Sequence, residues 1–283
     1  MRLHSVVLAA LALAIAAPPA AAGGSGHFRM GENRQEFQHA YALARQSFSD
    51  PPQREVTVYL TSHPVDLSGA AAAVDLDEPF TSQLREVDGS MVRINLPTEP
   101  DGGPSMWFYS SEPSDTFNMS GSGEFALEQD TPARVAGSWI LAEPSSFFDK
   151  TYDFRLEFAA DVVDANPKGE ALPAGGGEPG AAWLAEVSAV AAKDADFFRK
   201  LMPDMAEFLL PKDQPDEVES YFEGRRWSTP KEAKVHGGLL MEDIAILRIT
   251  GTDYEGRKVS GAVYMSRGEQ GWSESSTDLT THW

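Results

Sequence analysis

Apolar and polar residues alternate over much of the first half of the chain. In "REVTVYLTS", Val56, Val58 and Leu60 face one way while Thr57, Tyr59 and Thr61 face the other, the period of a half-buried strand. "MVRINL", "SMWFYSS", "TFNMSG", "GEFALEQ", "RVAGSWILA" and "TYDFRLEFAADVV" are further strand candidates, separated by Gly, Pro, Asp and Ser clusters that suit turns. "FQHAYALARQSF" reads two ways: its alanines suit a helix, yet His39, Tyr41, Leu43 and Arg45 alternate like a strand. "DEPFTSQLRE" predicts a short helical turn carrying Phe80 and Leu84. Many short strands with turn signals predict a mainly antiparallel β-domain over residues 27–164, a sandwich or an open barrel.

The pattern changes after "ANPKGEALPAGGGEPG", residues 165–180, whose prolines and three consecutive glycines predict a linker. Beyond it, over residues 181–283, a helical period appears. Trp183, Val187 and Val190 fall at i, i+4 and i+7; Lys193-Asp194 interrupts that face, and Phe197, Phe198, Leu201 and Met202 resume it. A second helical stretch is expected in "MAEFLLPKDQPDEVESYFEGRRW", interrupted at Pro211 and Pro215. Four strands follow, "KEAKVHGGLLM", "DIAILRITGTD", "KVSGAVYMSR" and "GWSESSTDLTTHW", with "TDYEGRK" and "RGEQG" as compact turns. Helices followed by an antiparallel meander predict an α+β domain, giving a two-domain chain.

Residues 1–22 read as a secretory signal peptide. Arg2 and His4 precede an apolar run from Val6 to Ala17, and Ala20, Ala21 and Ala22 offer small residues for cleavage. That run is shorter than the roughly 20 residues a bilayer core requires, so no membrane span is expected and the chain is placed in the periplasm or outside the cell. It has no cysteine, which removes disulfides and thiolate chemistry. A net charge of −20 argues against nucleic acid or an anionic membrane as partner.

Together, "LAEVSAVAAKDADFFRKLM" and "AKVHGGLLMEDIAILRITGTDYEGRKVSGAVYMSRGEQGW" resemble the nuclear-transport-factor-2-like domains of exported bacterial proteins, over about residues 178–283. The resemblance implies helices packed on a curved antiparallel sheet in a cone that can hold a small molecule. Some members of that superfamily isomerise, dehydrate or cyclise ligands with Asp, His or Tyr inside the cone. Residues 181–227 contain no histidine, a departure from the catalytic members. The earlier segment resembles a β-rich domain of uncharacterised exported bacterial proteins.

Candidate chemistry is sparse. Trp183, Tyr221 and Tyr264 are aromatics able to line a pocket or fill a core, and Arg248 is a charge within an apolar strand that needs a partner; these four are the candidate ligand-pocket residues. Ile244, Ile246 and Arg248 should share one sheet face and Ala245, Leu247 and Ile249 the other, so both faces should be covered, one by helices. Ser62, His63 and Asp66 lie close in "TSHPVD", but adjacency in sequence does not supply triad geometry. Asp75, Asp77 and Glu78 lack the rest of a calcium loop, and His27, His39, His63, His236 and His282 lack zinc spacing. "NMS" at Asn118 formally matches a glycosylation acceptor. No cofactor, metal or catalytic set is expected. The expectation is an exported, non-catalytic envelope protein that binds a small apolar molecule or another envelope protein, with oligomerisation open through the C-terminal sheet. The alternative is an isomerase- or hydrolase-like enzyme using the cone, with Tyr264 or Asp253 as acid or base.

Overall fold

A computed structural model describes residues 23–48, 52–68, 73–98 and 102–282; the expected signal peptide lies outside the described residues. Strands β1 to β10 form one sheet: β1 Gly23–Met30, β2 Asn33–Phe37, β3 His39–Gln46, β4 Arg54–Thr61, β5 Ser90–Asn95, β6 Ser105–Ser110, β7 Asp115–Ser120, β8 Glu124–Asp130, β9 Arg134–Phe147 and β10 Lys150–Asp164. Their order is β2-β1-β10-β3-β4-β5-β6-β7, and β9 pairs with β10 and with β8. All pairs are antiparallel except β3 with β10, which run parallel from the Ala42–Val162 pair to the Ala44–Asp164 pair. The expected antiparallel sheet is therefore mixed.

This sheet curls around an aromatic core. Phe28 stacks on Phe108 at 4.2 Å and lies near Phe117 and Phe154, with Trp139 edge-on to Phe154. The ambiguous "FQHAYALARQSF" is strand. Ala40, Ala42 and Ala44 point into the curl, where little room exists, and Tyr41 and Leu43 pack outside. Packing thus overrides the helix preference of alanine. Helix α1, Glu78–Arg85, covers the outer face with Phe80 and Leu84, as the sequence predicts. Phe80 stacks on Tyr59 at 3.9 Å, and the Tyr59 hydroxyl donates to Asp77 at 2.8 Å.

The stretch expected as a linker carries structure. Within it, β11, Glu170–Leu172, pairs with the second sheet, and helix α2, Gly177–Ala192, begins. The glycines serve a close approach: Gly176 has φ +73°, and a Cβ there would sit 2.9 Å from Leu247 and Val235. Lys193, left-handed, ends α2, and Asp194 starts α3, Ala195–Leu201, by accepting the Phe197 N–H at 3.0 Å. Helices α4, Ala206–Leu209, and α5, Pro215–Ser228, follow, with Pro215 in the first turn of α5.

The second sheet is the antiparallel order β11-β12-β13-β14-β15, with β12 Glu232–Met241, β13 Ile244–Thr252, β14 Lys258–Gly268 and β15 Gly271–His282. One face carries Ala245, Leu247, Ile249, Val263 and Met265 against Trp183 and Val187 of α2. Phe198, Leu210 and Phe222 extend this packing through α3 to α5. The opposite face carries Ile246, fully buried, and Tyr264, half-buried. There β3, β4 and the segment before α1 come close: Arg45, Glu55 and Asp75 all act electrostatically on the Tyr264 hydroxyl. Gln46, Phe48 and Asn166 share a groove with Arg248.

Candidate ligand site

The four residues singled out from the sequence separate into two pairs on opposite faces of the second sheet. Arg248 is exposed, and Tyr264 faces the first sheet. Burial, then the Asp278 charge, raise the Tyr264 phenol above its ordinary value, so it is held neutral and suits no base role. Trp183 is fully buried on the helical side, and Tyr221 is half-buried against Phe198 and Phe222.

Trp183 leads to a polar cluster that sequence reasoning missed. Its indole N–H donates to Glu274 Oε2 at 3.0 Å, and Arg225 Nη1 donates to Glu274 Oε1 at 2.8 Å. The Glu274 N–H donates to Glu186 Oε1 at 2.9 Å, and Arg225 lies 3.5 Å from Glu186 Oε2. Burial pushes the Glu186 carboxyl group up to about 7. The Glu274 N–H opposes that shift, the Glu274 charge adds to it, and Arg225 opposes it again. The side chains of both glutamates are nearly closed from solvent. A signal was present: Glu186 is the only charge between Ala181 and Ala192, three residues after Trp183 on the buried face.

A second arrangement is open. The C-terminal end of α5, the β13–β14 turn and the end of β15 enclose a groove of about 330 Å³, lined among others by Arg226, Trp227, Thr229, Tyr254, Val259 and Leu279. Asp253 builds the turn. Its Oδ1 accepts the N–H groups of Glu255 and Arg257 at 2.9 and 2.8 Å, and its Oδ2 accepts Arg257 Nε at 2.6 Å. Desolvation works against the Asp253 charge, yet these bonds hold its carboxyl group below the usual range. It is a turn-forming anion and a poor acid or base. The turn sets Tyr254 under the Arg226 guanidinium, 5.0 Å from ring centroid to Cζ. Trp227 stands 82 % exposed at the rim.

Three buried polar atoms of the groove have no hydrogen-bond partner among the described residues: Thr229 Oγ1, Tyr254 OH and Arg226 Nε. Thr229 is only 2 % exposed. Their residues line the groove, while the three atoms themselves are closed from solvent behind its wall. None of Trp183, Tyr221, Arg248 and Tyr264 lines this groove.

The remaining motifs are structural. Ser62 Oγ lies 3.0 Å from His63 Nδ1, but Asp66 binds the N–H and hydroxyl of Ser68, so no triad forms. Asp77 is occupied by Tyr59 and Arg93, and Asp75 accepts the Asp77 N–H. Among the described residues no helix is long and apolar enough to cross a membrane. No family model, no curated protein and no solved structure matches the chain.

Proposed function

We propose that this is an exported, non-catalytic protein of the cell envelope that binds a small molecule on its C-terminal half, residues 181–283, a cone-like domain of helices on a curved sheet. The groove between α5, the β13–β14 turn and β15 is its site. One observation carries this reading: a groove of about 330 Å³ lined by Arg226, Thr229, Tyr254, Val259 and Leu279 opens beside an exposed tryptophan. Native mass spectrometry of protein purified from its own host tests it. A co-purifying molecule bound one to one, and lost in Trp227→Ala, is the expected result. Bare protein from several growth conditions, together with no binder in a small-molecule screen, would refute it.

The enzyme reading rests on a different observation, the enclosed Glu186–Glu274 pair with one carboxyl group near 7, where a general acid or base works best. It predicts that protein incubated with a host metabolite extract changes the extract's composition, and that Glu186→Gln abolishes the change. An oligomer built through the C-terminal sheet would use the open β15 edge, since Ile246 and Ala262 on the face away from the helices are already buried within one chain.

A further inference from the structure

We infer that the docking of α5 against α2 and β15 is gated by one proton on Glu186: the helix is held while that carboxyl group is neutral and loosened once it ionises. This stands on the Glu186–Glu274–Arg225 cluster alone, whether or not the groove takes a ligand.

The charge count makes the gate. A glutamate of α2 and a glutamate of β15 meet a single guanidinium from α5, and their side chains are only 4 % and 5 % exposed. With both ionised, the enclosure holds an uncompensated negative charge, a cost that water relieves only when the cluster opens. The hydrogen bonds decide which glutamate keeps the proton. Both oxygens of Glu274 take donors, the Trp183 indole on Oε2 and Arg225 Nη1 on Oε1, so Glu274 is the charged partner of Arg225. Glu186 accepts the Glu274 N–H on Oε1, whereas its Oε2 lies 3.5 Å from Arg225 Nη2, which makes no hydrogen bond among the described residues. That oxygen is the seat of the proton. The charges acting on Glu186 are those of Glu274 and Arg225. Tyr221 of α5 adds none, since burial raises its phenol above the ordinary value, and α3 brings Phe198, 5.7 Å from the guanidinium. Between 4.5 and about 7 the docked form keeps a proton that the opened form releases, so opening grows easier as pH rises and levels off above.

The element free to move is α5. Phe222 is its one fully buried residue, whereas α2 buries residues along most of its length and β15 is paired with β14 throughout. Besides Arg225, a surface ion pair between Glu219 and Lys193 ties α5 to the end of α2. A loosened α5 carries Glu223, Arg226 and Trp227 with it, and so removes one wall of the groove.

Hydrogen–deuterium exchange of the full protein, read by mass spectrometry at pH 5 and pH 8 and corrected for the intrinsic exchange rate, tests the gate. Protection of the α5 amides should fall about tenfold or more from the lower pH to the higher, and at pH 8 they should exchange well ahead of those of β14. In Glu186→Gln, neutral at both values, α5 should keep at pH 8 the protection it has at pH 5. Equal protection of α5 at both pH values in the wild type would overturn the gate, with no variant needed. So would exchange of α5 in step with β14 at pH 8, which would place the effect in cooperative unfolding. An undiminished fall in Glu186→Gln would assign it to another group and overturn the gate as well.

Discussion

Glu186 gives the molecule its clearest dependence on pH. Its ordinary value is 4.5, and burial raises it to about 7 in the folded protein. Below about 4.5 the group is protonated in folded and unfolded chains alike, and its contribution is fully present. Between about 4.5 and 7 only the folded chain keeps the proton, so stability falls as pH rises, by up to about 3 kcal/mol, and levels off above. Burial also raises Glu55 and Asp77, which act in the same sense. Urea midpoints should therefore decline from pH 4.5 to pH 7.5, and Glu186→Gln should flatten most of that slope; an unchanged slope would remove Glu186 as its source. A second residue-scale prediction concerns α1. Phe80→Ala empties a stacked, fully buried position and should cost about 3–5 kcal/mol, whereas Tyr59→Phe, losing one hydrogen bond to Asp77, should cost about 1–2 kcal/mol. Chemical denaturation of both variants measures the difference.

At the scale of elements, glycine sets the limits of the second sheet. A Cβ on Gly261 would lie 2.0 Å from the Asp278 carbonyl oxygen, in the neighbouring strand β15, whereas Gly256 in the β13–β14 turn faces open space at φ +83°. Gly261→Ala must push β14 and β15 apart, and Gly256→Ala carries only the backbone penalty of about 1 kcal/mol. The expected order of thermal midpoints is wild type, then Gly256→Ala, then Gly261→Ala well below both. Elements with internal period were legible in the sequence. Trp183, Val187 and Val190 announced α2 and Val56, Val58 and Leu60 announced β4, while Lys193-Asp194, read as a gap in one apolar face, is where α2 ends and α3 begins. Elements held mainly by distant partners were not. β1 begins in "GGSG", with no alternation to read, and exists because β10 and β2 satisfy its backbone on either side. β11 is three residues held by β12.

For the whole molecule, the second sheet turns its helix-free face toward the first, where Gln46 and Phe48 share a groove with Arg248. Ile246 lies on the sheet face turned away from the helices, yet it is fully buried, so Ile246→Ala should cost about 2–4 kcal/mol, as in any core. A loss under about 0.5 kcal/mol would mean that the burial of Ile246 contributes little to stability. The same scale explains why the groove was illegible. Thr229, Tyr254 and Leu279 are separated along the chain and meet only because β12 to β15 form a meander. Their chemistry is a property of that meander and of no local motif. The pairing of β1 with β10 carries a last consequence, for the time course of folding. Ser25 and Glu157 are bonded across 132 positions, so the pairing of β1 with β10 waits until the tenth strand is in place. Closure of so long a loop is slow, and refolding on the millisecond-to-second scale is expected. Until residue 164 has emerged, a growing chain has an open, unfinished first sheet.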